Sequence, residues 1–465
     1  MKIPILAGVY VDGDPVVRVA YPVNMIPVPA QDGIDDGFLR PAEGIQTFAT
    51  GTGSDRGAIV WNGTHYRVSG TSLITVSSAG VVATIGTIPG IDSVRMDFSF
   101  DHLGIAADGN LYLWDGTVFA QVTDPNIGTV NDVVWVDGYW MVTDGADILV
   151  TELTNPFAVN PLKYDSTDSP DPVMCLLKVI NEVNVVSRHM IDVFQDVGGT
   201  YFPFQRVQSA HMTKGAIGAK AACVLGNTIA FVGGGRNEAI GVYLGSNAQL
   251  VKISTREIDN LLLEYTEAQL AAVSLEPIVD RGSQFLYVHL PDRTMVYDAT
   301  ASEGTGVPVW CVLTSALAGF SQYRARNIVR ANDSWVVGDP QSRAIGTWTV
   351  TTSQHWGADV RWEFSTPMLR GGGKAAIMHS IELVALTGVV TFGFNPMIST
   401  TYSVDGKTWS QDRSIRSGQA GDTTKRLVWW QQGLWRNWRI QKFHGDSSSR
   451  LSALQLEVQV EPLAN

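Results

Sequence analysis

The chain has 465 residues, of which 45% are hydrophobic and only 17% are charged, and its formal net charge is −12. This is the composition of a folded protein, and the negative charge argues against a protein that grips nucleic acid by neutralising phosphates with clustered Lys and Arg. So few charges on so long a chain also predict that partner proteins cover part of its surface.

Residues 1–50 are rich in Pro and Gly and show little periodicity. They are predicted to form an extended segment that packs on the rest of the protein or on a neighbouring copy. The first residues contain one Lys and a short apolar run broken by Pro4, which favours a first strand or an arm over a cleaved signal peptide. No apolar run reaches the roughly 18 residues that span a bilayer, so no transmembrane segment is predicted.

Between residues 51 and 370, short β-branched and aromatic runs alternate with turn dipeptides such as Asn62-Gly63, Asp108-Gly109 and Asp137-Gly138. Asn or Asp followed by Gly is typical of tight hairpins, because both residues tolerate positive φ. The pattern returns about every 35 to 50 residues, the period of four-stranded propeller blades. The sequence therefore predicts a mainly β fold with a β-propeller of six or seven blades, although several consecutive β-sandwich domains would show a similar spacing of turns.

Two stretches interrupt this pattern. Residues 254–277 place apolar residues at helical spacing after a possible cap at Ser254 or Thr255, which predicts a short helical insertion. The glycine-rich run from Arg370 to Lys374 predicts a domain boundary. Residues 371–465 then read as the strands of a separate C-terminal β-sandwich-like domain.

Three glycine-containing motifs have structural explanations. The stretch from Ser403 to Trp409 is similar to the Asp-box turn of sialidase-type propellers, but it is one residue short and predicts a hairpin rather than glycosidase chemistry. A phosphate loop ending at Lys407-Thr408 fails, because Thr401 stands where its first glycine is required. The run Gly233 to Gly235 is predicted to be a turn, because the residues that follow it have the pattern of a β-strand.

No catalytic, cofactor-binding or metal-binding residue is predicted. The eight His residues are scattered without metal-ligand spacing, and Cys175, Cys223 and Cys311 lie in apolar contexts that predict buried free thiols. Hydrolysis of glycosidic bonds would need two carboxylates at a fixed separation, and a pair such as Asp280 and Asp298 stays open without any feature that favours it.

A basic and aromatic cluster near the C-terminus combines residue types that stack on nucleic acid bases. Alternating strands with Trp inside and Arg outside are favoured, with Arg free to lie over Trp at a subunit contact. The cluster comprises Lys425, Arg426, Trp429, Trp430, Trp435, Arg436, Trp438 and Arg439.

Long segments of the chain resemble one family, the packaged-DNA stabilisation proteins that form the tail hub or nozzle of short-tailed bacteriophages. The resemblance lies in RGAIVWNGTHYRVSGTSL from Arg56, TYFPFQRVQ from Thr200, GRNEAIGVYLG from Gly235, VKISTREID from Val251, FLYVHLPDRTMVYDA from Phe285 and GADVRWEF from Gly357. It extends from the segment near Tyr21 through the C-terminal domain.

The resemblance implies a structural virion protein, made in the host cytoplasm, with no enzymatic activity and no cofactor. Such proteins form a ring of typically six copies below the portal and its adaptor, retain packaged DNA and later let it pass without specific binding. Tail fibres or tailspikes, and in some phages a needle-like plug, attach to the ring. An acidic lumen agrees with this role, because it repels the phosphate backbone.

Two alternatives remain open at this stage. A propeller enzyme that cleaves cell-surface glycans would show a central pocket lined by convergent carboxylates and Arg, whereas an inert propeller would fill its axis with apolar side chains. A carbohydrate-binding or receptor-binding module would need exposed Trp and Tyr side chains on one rim.

Overall fold

The computed structural model describes residues 2–12, 16–30, 37–162, 164–165, 171–199, 202–246, 248–370, 374–390 and 392–463. The described chain is mainly β. Its first strands are β1 (Lys2–Ile3), β2 (Gly8–Asp12), β3 (Val16–Ala20), β4 (Met25–Val28), β5 (Phe38–Pro41) and β6 (Gly44–Thr50).

Blades 1 to 4 follow in chain order, and each is an antiparallel sheet whose first strand is innermost. Blade 1 contains β7 (Asp55–Trp61), β8 (Thr64–Ser69), β9 (Ser72–Val76) and β10 (Val82–Thr87). Blade 2 contains β11 (Arg95–Phe98), β12 (Leu103–Ala107), β13 (Asn110–Trp114) and β14 (Phe119–Gln121). Blade 3 contains β15 (Asp132–Val136), β16 (Tyr139–Thr143), β17 (Asp147–Glu152), β18 (Asn155–Val159) and the short β19 (Tyr164–Asp165). Blade 4 contains β20 (Val173–Val179), β21 (Glu182–Ser187), β22 (Ile191–Asp196) and β23 (Phe204–Met212).

Blades 5 to 7 complete the circle. Blade 5 contains β24 (Gly215–Ala216), β25 (Ala222–Leu225), β26 (Thr228–Gly234), β27 (Gly241–Ser246) and β28 (Gln249–Lys252). Helices α1 (Arg256–Leu263) and α2 (Glu267–Ala271) follow. Blade 6 contains β29 (Ser274–Asp280), β30 (Ser283–His289), β31 (Thr294–Asp298), helix α3 (Ala299–Thr305) and β32 (Val309–Leu313). Blade 7 contains β33 (Arg326–Ala331), β34 (Ser334–Gly338) and β35 (Ala344–Thr349).

The fourth strand of blade 7 comes from the other end of the propeller sequence. Strand β6 pairs antiparallel with β35, from Gly44 opposite Thr349 to Thr50 opposite Ala344. The inner strands β33 and β7 are also in contact, so the ring closes with seven blades in the described residues. The predicted β-propeller is therefore confirmed, and the number of blades is seven.

The blade hairpins turn where Asn or Asp precedes Gly. Asp108 and Gly109 have φ of 49° and 74°, and Asp137 and Gly138 have φ of 48° and 94°. These positive angles match the tight turns that the dipeptides predicted, because Asn, Asp and Gly enter the left-handed region at low cost.

The helical insertion is shorter than its sequence pattern indicated. Thr255 occupies the N-cap of α1 without a side-chain cap bond, whereas Thr266 forms a complete capping box at the start of α2. Residues 274–277, which were predicted to be helical, instead begin the inner strand of blade 6, where Leu275 and Ile278 are buried. No helix among the described residues is long and apolar enough to cross a membrane.

The C-terminal sandwich packs two sheets around a core that includes Trp362, Phe443 and Leu456. Its strands are β36 (Arg361–Ser365), β37 (Leu369–Arg370), β38 (Ala376–Leu386), β39 (Met397–Ser403), β40 (Arg413–Arg416), β41 (Leu427–Trp435), β42 (Trp438–Asp446) and β43 (Ser452–Pro462), with a 3-10 turn at Ser447–Ser449. One sheet runs β4-β5-β43-β38-β41 with β1 beside β43, and the other runs β36-β42-β39-β40 with β37 beside β42.

The N-terminal segment thus serves two parts of the fold. Strands β1, β4 and β5 extend a sandwich sheet, whereas β6 completes a propeller blade. The segment was expected to pack on the propeller or a neighbour, so its pairing with the sandwich is an additional finding. The domain boundaries near 50 and 370 stay predictions, and residues 371–373 of the proposed hinge lie outside the described residues.

Residues Val23 and Asn24 join the propeller to the sandwich. Val23 bridges Val312 of blade 6 on one side and Glu363 of β36 on the other. The buried Asn24 side chain donates to the carbonyls of Thr314 and Arg361 at 2.9 and 2.6 Å, and accepts from the Thr314 N–H at 3.0 Å. One amide side chain therefore fixes three main-chain groups from both parts.

Candidate functional site

Charged side chains from six blades meet at one end of the propeller axis, where the inner strands begin. They are Asp55 and Arg67 of blade 1, Arg95 of blade 2, Asp132 of blade 3, Lys220 of blade 5, Glu276 of blade 6 and Arg326 of blade 7. No site residue was predicted from the sequence here. The sequence did contain one indication of this cluster: an inner strand begins with a charged residue in four blades. These residues are Asp55, Arg95, Asp132 and Arg326.

Two cations of this cluster bridge opposite sides of the ring. Arg95 donates to the Ala219 carbonyl, and Lys220 donates to the Val94 carbonyl, so blades 2 and 5 are bonded to each other. Arg95 Nε also lies 3.6 Å from Asp132 Oδ2. Burial, and to a lesser degree Arg95, lowers the pKa of Lys220 well below its usual value. The axis is therefore crossed by protein hydrogen bonds at this end.

The carboxylates of the cluster connect neighbouring blades. Asp132 accepts the N–H groups of Val133 and, from blade 4, Leu176 at 2.8 and 2.9 Å. Glu276 accepts the N–H groups of Asn327 and Ile328 of blade 7, both at 2.9 Å. Each carboxylate is engaged by two main-chain donors, and these hydrogen bonds connect neighbouring blades.

This arrangement matches neither of the two axis types expected from the sequence. The axis has carboxylates and arginines, as a glycan-cleaving propeller would, but they are hydrogen-bonded to protein groups of their own or other blades. A glycosidase needs one carboxylic acid that donates a proton and one carboxylate that attacks or activates water. Asp132 and Glu276 each hold two main-chain N–H groups instead.

The carboxylate pair considered from the sequence, Asp280 and Asp298, lies at one cavity of about 590 Å³ between blade 6 and the N-terminal strands. Asp280 accepts the Trp335 indole N–H at 3.0 Å. Asp298 caps helix α3 through the Ala301 N–H at 2.9 Å, and burial raises its pKa. Both side chains have structural bonding partners.

A serine and a histidine also approach each other beneath the propeller-sandwich junction. Ser315 Oγ lies 2.8 Å from His355 Nδ1 and accepts the Arg324 N–H at 3.1 Å. In the described part of the chain no carboxylate is hydrogen-bonded to His355. Burial lowers the pKa of His355 to about 3, which makes it a weak general base near neutral pH.

Acid is expected to destabilise the fold through His355 and His65. Burial lowers the pKa of each to about 3, against 6.5 in the unfolded chain. The unfolded state therefore binds more protons between these values, and stability is lost as pH falls from about 6.5 towards 3. At pH 5 the loss is about 2 kcal/mol for each histidine.

Chemical denaturation across this pH range measures the effect. The variant H65F should reduce the pH slope of the unfolding free energy by about one proton. The variant H379Q is the control, because the His379 side chain is solvent-exposed and hydrogen-bonded to Glu461. Equal slopes for wild type and H65F would contradict the assignment.

The basic and aromatic cluster is organised differently from its prediction. Trp429 and Trp435 are buried as expected, but Trp430 is 61% exposed, because alternation along β41 places it on the opposite face from Trp429. The positive φ of Gln431 interrupts the alternation only after Trp430. Arg439, predicted to face outward, is fully buried. Its guanidinium lies 3.8 Å from the Tyr402 ring centroid and donates to the Gln432 carbonyl, so ring and amide groups take the place of a carboxylate.

The glycine motifs have packing roles. Gly233 and Gly234 belong to strand β26, so the predicted turn is wrong. A Cβ at Gly233 would lie 1.9 Å from the Gly215 carbonyl oxygen of the antiparallel neighbour β24. The predicted hairpin at 403–409 is confirmed. Asp405 accepts the N–H groups of Lys407 and Thr408 at 2.9 and 2.8 Å, and the Thr408 hydroxyl contributes most to lowering its pKa.

A cavity of about 320 Å³ at the junction tests the carbohydrate-binding alternative, because Tyr21, Phe320 and Trp409 all line it. Their accessible rings carry cations: Lys442 Nζ lies 4.1 Å from the Trp409 centroid, and the Arg293 guanidinium lies 3.9 Å from that of Phe320. A sugar would have to displace these contacts in order to stack.

The three cysteines are buried and free, as predicted, and burial raises the pKa of Cys175 to about 12. Within the described ranges, no group of three or more His, Cys, Asp or Glu side chains is arranged to hold a metal ion.

Comparison with known proteins matches both parts of the chain. The family model "Bacteriophage P22 Gp10, beta-propeller" matches residues 1–353, and "Bacteriophage P22 Gp10, beta-sandwich" matches residues 361–461. The tail hub protein gp10 of Salmonella phage P22 is 24% identical over 449 residues, which is 92% of each chain.

Solved structures with similar folds include two domains with little sequence identity to this chain. The Pan2 WD40 domain of Neurospora crassa has a TM-score of 0.42 at 8% identity, covering 65% of this chain and 94% of its own. The N-terminal domain of Nup159 has a TM-score of 0.42 at 9% identity, covering 70% and 98%. Similarity at this level supports no functional inference.

Proposed function

Because this chain belongs to the bacteriophage P22 Gp10 family of tail hub proteins, in both its propeller and its sandwich, we propose that it forms a ring at the end of the phage tail that retains packaged DNA and conducts it at ejection. The single observation that carries this function is the match over 92% of both chains. The ring contains six copies and docks below the portal and its adaptor.

The closed propeller axis decides where DNA passes in this proposal. Arg95 and Lys220 bond across one end of the axis, so the duplex does not run through an individual propeller. The conduit is instead the space enclosed by several copies around a common symmetry axis. Each propeller then acts as a stiff wall element, and the net charge of −12 limits adhesion of the phosphate backbone.

The role is mechanical rather than enzymatic. The carboxylates at the axis are held by main-chain donors, and the buried His355 has a pKa too low for efficient base catalysis at neutral pH. Tail fibres or tailspikes, and a needle-like plug in some phages, are the further partners that we propose. The protein is made in the host cytoplasm and functions in the virion tail.

Mixing the purified chain with the portal and adaptor of its own phage tests the proposal. Native mass spectrometry should detect six copies bound to the adaptor, and particles assembled without the chain should lose DNA that particles with it retain. The alternative is a glycan-hydrolysing or receptor-binding tail protein. Monomers that cleave host glycans and ignore the adaptor would establish that alternative.

A further inference from the structure

Positive charge is concentrated in the C-terminal part of the chain. Residues 371–465 contain ten Lys and Arg against seven Asp and Glu, although the chain as a whole has a net charge of −12. The excess of acid therefore lies entirely before residue 371. The described structure shows where each kind of charge reaches the surface.

The positive side chains follow the outer edge of the sandwich. Lys425 and Arg436 flank the two ends of β41, and Arg416 lies on the neighbouring strand β40; all three are exposed. Arg413 of β40 donates to the carbonyls of Trp430 and Gln431 at 2.8 and 2.6 Å. We call these four residues the basic edge.

The basic edge lacks internal neutralisation. In the described residues no carboxylate lies within ion-pair distance of its four side chains, and the buried Arg439 beneath it has no carboxylate partner either. Apolar side chains are exposed on the same strands, with Trp430 61% and Leu434 50% accessible. An acidic partner with apolar protrusions would complement both features.

One face of the propeller is acidic and also has exposed apolar side chains. The turns that join strands one to two and three to four of each blade lie at the end of the ring opposite the charged cluster. In blades 1 to 4 these turns contain no Lys or Arg. The turns and the strand residues directly next to them carry the carboxylates Asp101, Asp115, Asp137, Glu152, Glu182 and Asp196. They also expose the apolar side chains Val81, Phe100, Val118, Leu153, Ile180 and Val197.

We infer that the basic edge of one copy docks on this acidic turn face of the next copy. The inference rests on the proposed ring and names the surfaces that would build it. The two surfaces belong to different parts of the same chain, so the contact is head-to-tail, and repetition of such a contact closes a ring when the rotation permits.

A second copy fits the basic edge better than nucleic acid does. DNA-binding surfaces meet phosphates with clustered charge, whereas here exposed Trp430 and Leu434 accompany the cations and match exposed Phe100 and Ile180 on the turn face. Apolar side chains gain by contact with apolar protrusions but gain little against a phosphate backbone.

Charge exchange between the surfaces tests the inference. The variant R416E/K425E/R436E reverses the basic edge, and D101K/E152K/E182K reverses the turn face. Each variant alone should weaken ring assembly on the adaptor at least about tenfold, because like charges then face each other. An equimolar mixture should assemble again into rings of alternating copies, since each edge then meets an opposite charge.

The control variant R256E/R343E reverses two exposed charges outside both surfaces and should assemble like wild type. Circular dichroism and melting temperature establish that all variants fold. Normal assembly of both single-surface variants, or failure of the mixture to assemble, would overturn the inference. So would an edge variant that assembles normally but loses affinity for double-stranded DNA, measured by fluorescence anisotropy. If wild type itself does not bind the adaptor, the proposed function fails, and not merely this contact.

Discussion

Removal of residues 1–50 is expected to open the propeller, whereas removal of residues 1–42 should leave it closed. The difference between the two truncations is strand β6, which supplies the outer strand of blade 7. Ile45 and Ala49 of this strand are buried, and its pairing with β35 extends over the whole strand. Burial and hydrogen bonding together make its loss worth on the order of 5 kcal/mol.

Hydrogen exchange measured by mass spectrometry checks this expectation. The longer truncation should lose protection in β33 to β35 and in the adjoining β7, because β35 becomes an open sheet edge. The shorter truncation is the matched control, since it removes β1, β4 and β5 from the sandwich sheet but keeps β6. Identical protection of blade 7 in the two truncated proteins would show that β6 does not hold the ring closed.

The closure also shows which parts of the fold the sequence could predict. The hairpins were readable because Asp108-Gly109 and Asp137-Gly138 specify their turns locally. The partner of β35 could not be predicted, because Trp348 pairs with Ile45 across some 300 residues and no local signal encodes that register. For the same reason, the β4-β5 hairpin gave no indication that it would join a sheet with β43.

The direction of individual side chains was the second feature that the sequence could not fully predict. Alternation buries Trp429 and exposes its neighbour Trp430, so both could not lie inside as expected. Gln431, with positive φ, then breaks the alternation, so that Gln431 is exposed and Gln432 is buried. Arg439 was expected outside because charge is costly to bury. The Tyr402 ring and the Gln432 carbonyl lower that cost, and neither adjoins Arg439 in sequence. Such long-range compensation cannot be read from strand periodicity.

The charged cluster at the axis could have been predicted in part from the sequence. A charged residue at the start of several inner strands is a periodic signal that hydrophobic patterning overlooks. The partners of these residues are not periodic: Lys220 bonds to Val94, and Asp55 bonds to Asn327. The sequence could therefore have indicated that the axis is charged, but only the structure shows that it is closed.

Replacement of Asp55 by Ala is expected to destabilise the protein by about 3–5 kcal/mol, because it leaves Arg67 buried without its counter-ion. Arg67 is fully buried and its Nη1 lies 2.5 Å from Asp55 Oδ1. Asp55 Oδ2 accepts the Asn327 amide at 2.6 Å, which connects blade 1 to blade 7. The D55A variant therefore weakens the contact between blades 1 and 7, which strand β6 also stabilises.

The double variant D55A/R67M separates the charge from the packing. Removing both charges leaves no buried ion to solvate, so the double variant should recover a large part of the stability that D55A loses. Gly338 packs directly against this pair, since a Cβ at Gly338 would lie 2.1 Å from the Asp55 carboxyl carbon and 2.2 Å from Arg67 Nη1. Urea denaturation of the single and double variants gives the coupling energy directly. A double variant as unstable as D55A would mean that packing, and not the unpaired guanidinium, sets the stability of this contact.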